Sequence, residues 1–340
     1  MKLNFATIFD INYLSRGLIL YESIKKWHDD FVLYVVCLDR ETEDYFSKNK
    51  KNDIETIPLS QIEKHFPELA GVKKTRSYTD YIFTLSPYYP SYIIEKYRAI
   101  SFICSLDCDQ LFFSNSEQIF EDLNKYSVLI TPHRFTEQTA HLIIHGKYNV
   151  SFQVFKNSET GRKCLELWRG QCLEWCSDIL EDGKYADQKY LDSWYSYFGD
   201  DIAEIRHIGL GLAPWNLDDK RIGIRGKKVL VDNVEVILYH YHGLRFITKH
   251  LVNSGLNLYK VRPSYSFSRH ILFPIVKGLR KFRNISDDSS IVRNSHSKSG
   301  SRNILKLINS LGLFLVLNNL FINLDLIYLL KTKRLKLMKM

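Results

Sequence analysis

The chain has 340 residues and a mass of 40.0 kDa, with 45% hydrophobic, 25% charged and 14% aromatic residues, which excludes a disordered chain, a collagen-like repeat and a disulfide-stapled miniprotein. At roughly 100 to 200 residues per domain this length suits one large α/β domain with an appendage. The net charge of +9 is uneven: residues 260–340 carry 16 Lys and Arg against three acids, while the rest is mildly acidic. Such asymmetry points to a polyanionic partner, either an anionic membrane face or a nucleic acid. The six cysteines form no CxxC pair, so neither a zinc ribbon nor a dithiol centre is readable, and a reducing compartment fits. Residues 1–10 lack the unbroken apolar run of an export signal, and the expected location is cytoplasmic.

In chain order, residues 3–9 predict a buried strand, and residues 13–27 a helix with Leu14, Leu18, Tyr21 and Ile24 at helical spacing. Residues 31–38 predict a second strand, stopped by Asp39. A helix over 91–97, a strand over 101–106, a helix over 116–125 and a strand over 127–131 continue the alternation. Strands apolar throughout, alternating with helices, predict an α/β fold with a mostly parallel sheet covered on both faces. Ligands of such sheets sit beyond the carboxyl ends of the strands, which selects residues 9–13, Asp39, 107–109 and 131–134 as the rim of a site.

The sharpest chemical feature is FICSLDCDQLFF, a strand that delivers Asp107 and Asp109 to its carboxyl end with Cys108 between them. Two carboxylates so placed converge on one hard cation, and that cation would bridge a diphosphate. A second strand, VEVILYHYHGLRF, ends in His240 and His242 followed by Gly243 and Arg245, and one imidazole would complete the shell if the two strands are neighbours. In EDGKYADQKYLDSW a helix is predicted over 186–194, with Asp187 near its start as either a sugar ligand or an ordinary helix cap. Cys164, Leu165, Trp168, Cys172, Trp175 and Cys176 read as a packed helix face rather than a metal site.

Residues 284–303, with seven serines and few large apolar groups, read as a linker. Beyond it, residues 304–330 are apolar but interrupted by Lys306, Asn309, Asn318, Asn319, Asn323 and Asp325, and a basic run follows. The expectation is a helical tail with a cationic end, lipid-facing or partner-facing, and not a clean membrane span. Without interleaved stacking aromatics, a membrane surface is preferred to nucleic acid as its partner.

Taken together, FATIFDINYLSRGLILYESI, SLDCDQ, YNVSFQVFKN, YADQKYLD, GLGLAPWN and YHYHG resemble, in order, the motifs of bacterial nucleotide-sugar glycosyltransferases of GT-A fold, close in layout to family 8. The resemblance spans roughly residues 1–246. It implies a GT-A catalytic domain, placed over 1–283 with a C-terminal helical extension, ahead of the linker 284–303 and the basic hydrophobic tail 304–340 read from composition. It implies a UDP-sugar donor held by Ala6, Thr7, Asp10, Asn12, Tyr13, Asp39 and Asp107, with the Tyr13 ring on uracil. It further implies Mn²⁺ or Mg²⁺ on Asp107, Asp109 and His240, with His242 the lesser candidate ligand.

Asn149, Asp187 and Gln188 match positions at the donor sugar, Asp187 and Gln188 being the candidate catalytic pair, and Arg245 or Lys249 would contact phosphate. The implied reaction is metal-dependent hexosyl transfer, with retention of configuration, to a hydroxyl of a cell-surface glycan or lipid-linked oligosaccharide in polysaccharide biosynthesis. Related sequences carry glycine where this one has Ser151 or Gln153, and another residue at Cys108, which bears on donor choice. Tyr78, Thr84, Tyr88, Tyr89 and His133 are either an acceptor groove or packed aromatics. Two other readings stand beside this one: an inactive nucleotide-sugar or glycan-binding adaptor docked at the membrane, and a phosphatase using Asp107 as nucleophile.

Overall fold

The computed structural model describes residues 1–246, 251–282, 313–317 and 320–323. Its first half runs β1 (Leu3–Phe9), α1 (Leu14–Trp27), β2 (Phe31–Cys37), α2 (Arg40–Lys48), β3 (Ile54–Pro58), α3 (Leu59–His65), α4 (Leu69–Thr75), α5 (Tyr78–Leu85), α6 (Tyr88–Lys96), β4 (Phe102–Leu106) and β5 (Gln110–Phe112). Then follow α7 (Glu117–Phe120), β6 (Val128–Pro132), β7 (Tyr148–Lys156), α8 (Glu159–Glu174), α9 (Trp194–Phe198) and β8 (Ile202–Glu204). Short strands come next: β9 (Ile222–Arg225), β10 (Lys228–Val231), β11 (Val234–Glu235), β12 (Leu238–His240), β13 (Arg245–Phe246) and β14 (Leu251–Asn253). The remaining elements are α10 (Tyr265–Phe267), α11 (Phe273–Phe282), β15 (Leu313–Leu317) and β16 (Leu320–Asn323).

The central sheet has seven strands in the order β3-β2-β1-β4-β7-β6-β8. All its neighbours pair in parallel except β7, which runs against both β4 and β6. The α/β class and mostly parallel sheet expected from the sequence are therefore present. One face buries Phe5, Phe9, Leu18 and Ile24 with Phe102 and Phe120; the other buries Tyr88, Ile93, Phe155, Trp168 and Trp194. Burial on both faces is why the strands carry continuous apolar runs.

Asp10 starts the turn after β1 by accepting from the Asn12 backbone at 3.1 Å, and α1 follows with its apolar stripe on the sheet. Gly17 lets α1 approach the sheet: a Cβ there would stand 2.4 Å from the Phe9 ring. Gly278 does the same where α11 crosses α1, since a Cβ would meet Ile19 at 2.9 Å. That crossing joins α11 to the body through a third apolar cluster containing Ile19, Leu272, Ile275, Val276 and Leu279.

Three expectations are corrected. The run 234–240 is two short strands, and β12 leaves the main sheet to pair with β5. The helix expected at 186–194 is a 3-10 turn, Lys189–Ser193, leading into α9. The tail expected to be helical contains, in its described part, two strands: β15 pairs antiparallel with β14 and β16 with β15. An apolar run broken by Asn318 and Asn319 suits two short strands better than one continuous helix. The linker 284–303 and the rest of 304–340 lie outside the described residues, as does Lys249.

Candidate active site

A cleft of about 430 Å³ opens at the carboxyl ends of β1, β2 and β4. Phe9, Asp10 and Tyr13 come from the end of β1, Leu38 from β2, and Asp107, Cys108 and Asp109 from β4. Tyr78, Ile82 and Ser86 form one wall; Val150, Asp187, His240 and His242 complete it.

The decisive local device is the β5–β12 ladder. Because β5 begins directly after Asp109, pairing places His240 opposite Gln110, and the Tyr241 amide donates to the Asp109 carbonyl at 2.9 Å. The His240 amide donates to the Leu212 carbonyl at 2.9 Å, and the Trp215 ring packs edge-on at 5.4 Å. His240 Nε2 then lies 3.1 Å from Asp109 Oδ1 and 3.7 Å from Asp107 Oδ2. The three side chains offer ligand atoms within 4.8 Å of one another. Two carboxylates and an imidazole suit Mn²⁺ or Mg²⁺, and buried His240 Nδ1 has no partner, leaving Nε2 as the nitrogen aimed at the carboxylates. The donor set fits a divalent cation.

The electrostatics agree. Burial pushes Asp107 up, opposed by the His240 ring and helped by the neighbouring Asp109 charge. Burial would also raise Asp109, but the His240 ring outweighs it through its charge and hydrogen bond, with His242 and Arg16 adding, so Asp109 is held low. His240 itself is raised: burial disfavours its charge, and the two carboxylates more than compensate.

Asp187 lines the same cleft, 2% exposed, with Oδ2 unpartnered. Burial lifts it to about 7, a hydrogen bond from Ser86 lowers it in part, and Asp107 raises it further. Two features fix its backbone. Ala186 sits at φ 45°, a left-handed geometry that a residue with a Cβ adopts at some cost, and Trp168 Nε1 donates to the Asp187 carbonyl at 2.9 Å. Asp187 is thus no helix cap.

Other expected residues fall in varied places. Tyr13 is 46% exposed on the cleft wall with the Arg16 guanidinium 4.8 Å from its ring centre. Asp10 accepts from the Tyr78 hydroxyl at 3.0 Å, and Asn12 donates back to Asp10 at 3.2 Å. Ala6 and Thr7 are inside the sheet, fully buried, because only the last residues of β1 emerge at the cleft. Asp39 spends its carboxylate on Ile11 N at 3.0 Å and Thr42 N at 2.9 Å, tying the β1 loop to the start of α2 rather than lining the cleft. Asn149 is buried and accepts from the Ser151 amide at 3.1 Å. Gln188 turns its amide to the His145 carbonyl at 2.9 Å and is not a lining residue. Arg245 is exposed in β13, paired with Asn253, away from the cleft lining.

Residues 131–134 do not form the rim. Thr131 donates to Phe152 O at 2.6 Å, and His133 is buried behind Trp215 and Asn216. The segment after β8 covers that end of β6. Among the acceptor-groove candidates Tyr78 and Tyr89 line the cleft, whereas Thr84, Tyr88 and His133 are buried outside its lining. Ser151 and Gln153 lie within β7 and do not line the cleft; the Ser151 carbonyl braces the acidic turn by accepting from Asp107 N at 3.2 Å and Gln110 Nε2 at 2.6 Å.

Sequence reasoning missed Arg16 and Ser105. Arg16 is buried and donates to the Leu244 carbonyl at 3.1 Å, so one guanidinium joins the Tyr13 loop to the segment after His240. Tyr89 hydrogen-bonds Ser105, two residues before Asp107. A charged residue inside an apolar helix stripe was the available signal for Arg16.

No protein-family model matches the chain. Two proteins of Bacillus subtilis (strain 168) are similar in sequence and described only as the uncharacterized proteins YfnD and YfnF. YfnD is 25% identical over 249 residues, 72% of this chain and 79% of YfnD. YfnF is 27% identical over 252 residues, 72% of this chain and 82% of YfnF. Similar solved structures include apo mouse xyloside xylosyltransferase 1, with TM-score 0.44, 13% identity and coverage of 72% of this chain and 98% of that one. The galactosyltransferase LgtC with donor and acceptor sugar analogs gives TM-score 0.46, 15% identity, and 71% and 87% coverage. The glycosyltransferase GlyE of Streptococcus pneumoniae TIGR4 gives 0.48, 13%, and 88% and 66%.

Proposed function

We propose that this chain is a GT-A, family-8-like glycosyltransferase that moves a hexosyl unit from a UDP-sugar to a hydroxyl of a cell-surface glycan or lipid-linked oligosaccharide, with retention of configuration. The observation that carries this reading is the convergence of Asp107, Asp109 and His240 in a cleft that Tyr13 and Asp187 also line.

Asp107, Asp109 and His240 would hold Mn²⁺ or Mg²⁺, which supplies charge neutralisation for a departing diphosphate. Tyr13 offers a ring for the base, braced from behind by Arg16. Arg16 also places a permanent positive charge beside Asp109, offsetting part of the negative potential that an incoming diphosphate meets. Asp187, raised to about 7, is protonated in a large share of molecules at neutral pH and can both donate to and accept from a sugar hydroxyl. Gln188 reaches the anomeric face only by giving up its bond to His145. Attack of the acceptor hydroxyl from the side of the leaving phosphate would retain configuration without a side-chain base.

Hydrolysis of a panel of UDP-sugars with Mn²⁺ tests this without an acceptor. One donor should be hydrolysed, and Asp109→Ala should abolish the metal-dependent rate; an unchanged rate in that variant would end the proposal. A site that binds UDP and Mn²⁺ but turns over no donor would instead favour the adaptor. We also propose that the enzyme works at the cytoplasmic face of the membrane, which its basic segment 304–340 contacts. Among the described residues no helix is long and apolar enough to cross a membrane. Deleting 304–340 should shift the protein toward the soluble fraction, and unchanged fractionation would refute the contact.

A further inference from the structure

A second, larger depression of about 1150 Å³ lies away from the active site, between the C-terminal half of α1, β5, the β9–β10 hairpin and α11. Its floor is apolar, with Leu111, Phe113, Val229 and Val276. Its rim is cationic: among the described lining residues, Lys26, Lys227, Arg269, Lys277 and Lys281 stand with one acid, Glu22, which Lys281 pairs with at 2.5 Å.

Two apolar side chains project beside this rim. Tyr265 is 82% exposed, four residues before Arg269 on the same helical run, and α10 packs on β9, where Ile224 is 42% exposed. Arg225 and Lys227 flank the turn at Gly226, both exposed. Lys26 Nζ lies over the Trp27 ring at 4.4 Å and the Arg269 guanidinium over the Phe273 ring at 5.4 Å, so these two charges rest against aromatic faces at the rim.

We infer that this surface docks the folded body on an anionic bilayer, the cations meeting lipid phosphates while Tyr265 and Ile224 enter the interface. Charge complementarity selects the occupant. The chain's own residues 331–340 contain five Lys and Arg and no acid, so they are repelled by this rim. A bilayer supplies both terms the surface offers, a negative plane for the rim and an apolar layer for the projecting side chains. The inference is independent of the transferase reading and concerns residues outside the active cleft.

The test uses the full chain and sedimentation with vesicles of phosphatidylcholine containing one quarter phosphatidylglycerol. Replacing Lys227, Arg269 and Lys277 together by Glu should lower the partition coefficient by about tenfold or more. The control carries the same charge change on the opposite face of the sheet, with Lys64, Lys74 and Lys163 replaced by Glu, and should lose much less. Tyr265→Ser with Ile224→Ser should remove binding that survives at high salt. Should the triple variant fold poorly by circular dichroism, Lys227→Glu alone, in an exposed turn, should still weaken binding several-fold. Equal losses in the two triple variants, or no loss in either, would overturn the inference, as would a triple variant that keeps vesicle binding but loses affinity for duplex nucleic acid. Donor hydrolysis in solution should be unaffected by these substitutions, so failure here and failure of the transferase reading are separate results.

Discussion

His240 lies directly across a two-strand ladder from Gln110, the residue that follows the second aspartate of the acidic turn. That pairing gives the imidazole its place 3.1 Å from Asp109, on a ladder separate from the seven-stranded sheet. Replacing His240 by Ala should therefore weaken Mn²⁺ binding by roughly tenfold or more while leaving the fold intact, because loss of one ligand spares the ladder's backbone bonds. Calorimetric titration of the variant checks this; an unchanged affinity would remove His240 from the metal shell.

Metal affinity should rise with pH. His240 is raised above its ordinary value and Asp107 is raised by burial, so in the metal-free site protons compete for the ligand atoms across the weakly acid and neutral range. Mn²⁺ binding should be tighter at pH 8 than at pH 6 and should release protons, which calorimetry in two buffers of different ionisation enthalpy measures directly. Binding independent of pH and buffer would contradict the arrangement.

Asp187 should tax stability at alkaline pH. Its carboxyl ionises near 4 when unfolded and at about 7 when folded, so the folded state is increasingly penalised as pH rises from 4 to 7, and the penalty is complete above that. Asp187→Asn should melt higher than the parent at pH 8, by an amount on the order of a few kcal/mol, with the difference shrinking toward pH 4. The same variant should lose donor hydrolysis. Identical melting differences at pH 8 and pH 4 would contradict the buried carboxyl.

Arg16→Met should act at two places through one residue. It removes the donor to the Leu244 carbonyl and the cation over Tyr13, costing about 1–3 kcal/mol in stability if that carbonyl finds no water. UDP affinity should fall with it, and Arg16→Lys, which keeps the charge without the planar fork, should recover part of the loss. Thermal melting and UDP titration separate the two effects.

Tyr13→Ala should weaken UDP by about 1–3 kcal/mol if the ring carries the base, whereas Tyr13→Phe should be nearly neutral. Equal affinity in the Ala variant would move the base elsewhere in the cleft.

The alternation of elements, the sheet class and the acidic turn were legible along the chain, because burial on both sheet faces writes continuous apolar runs and a strand end is a local feature. The histidine partner was legible as a candidate, but its proximity to the carboxylates was not, since ladder pairing between distant segments leaves no periodic signal. Arg16 and Ser105 read locally as parts of an ordinary helix and strand; only packing shows what they touch. Conversely, Asp39 and Gln188 look free to bind when read along the chain, and folding commits them to Ile11, Thr42 and His145.

What the order of amino acids determined by itself is therefore the layered architecture and the presence of two acids at the end of a buried strand. Only the tertiary structure decided which imidazole joins them, which arginine braces the neighbouring ring, and that Asp187 lines the same cleft. The physical reason is that hydrophobic patterning is read within one element, while the distances and charges of a site depend on how separate elements pack.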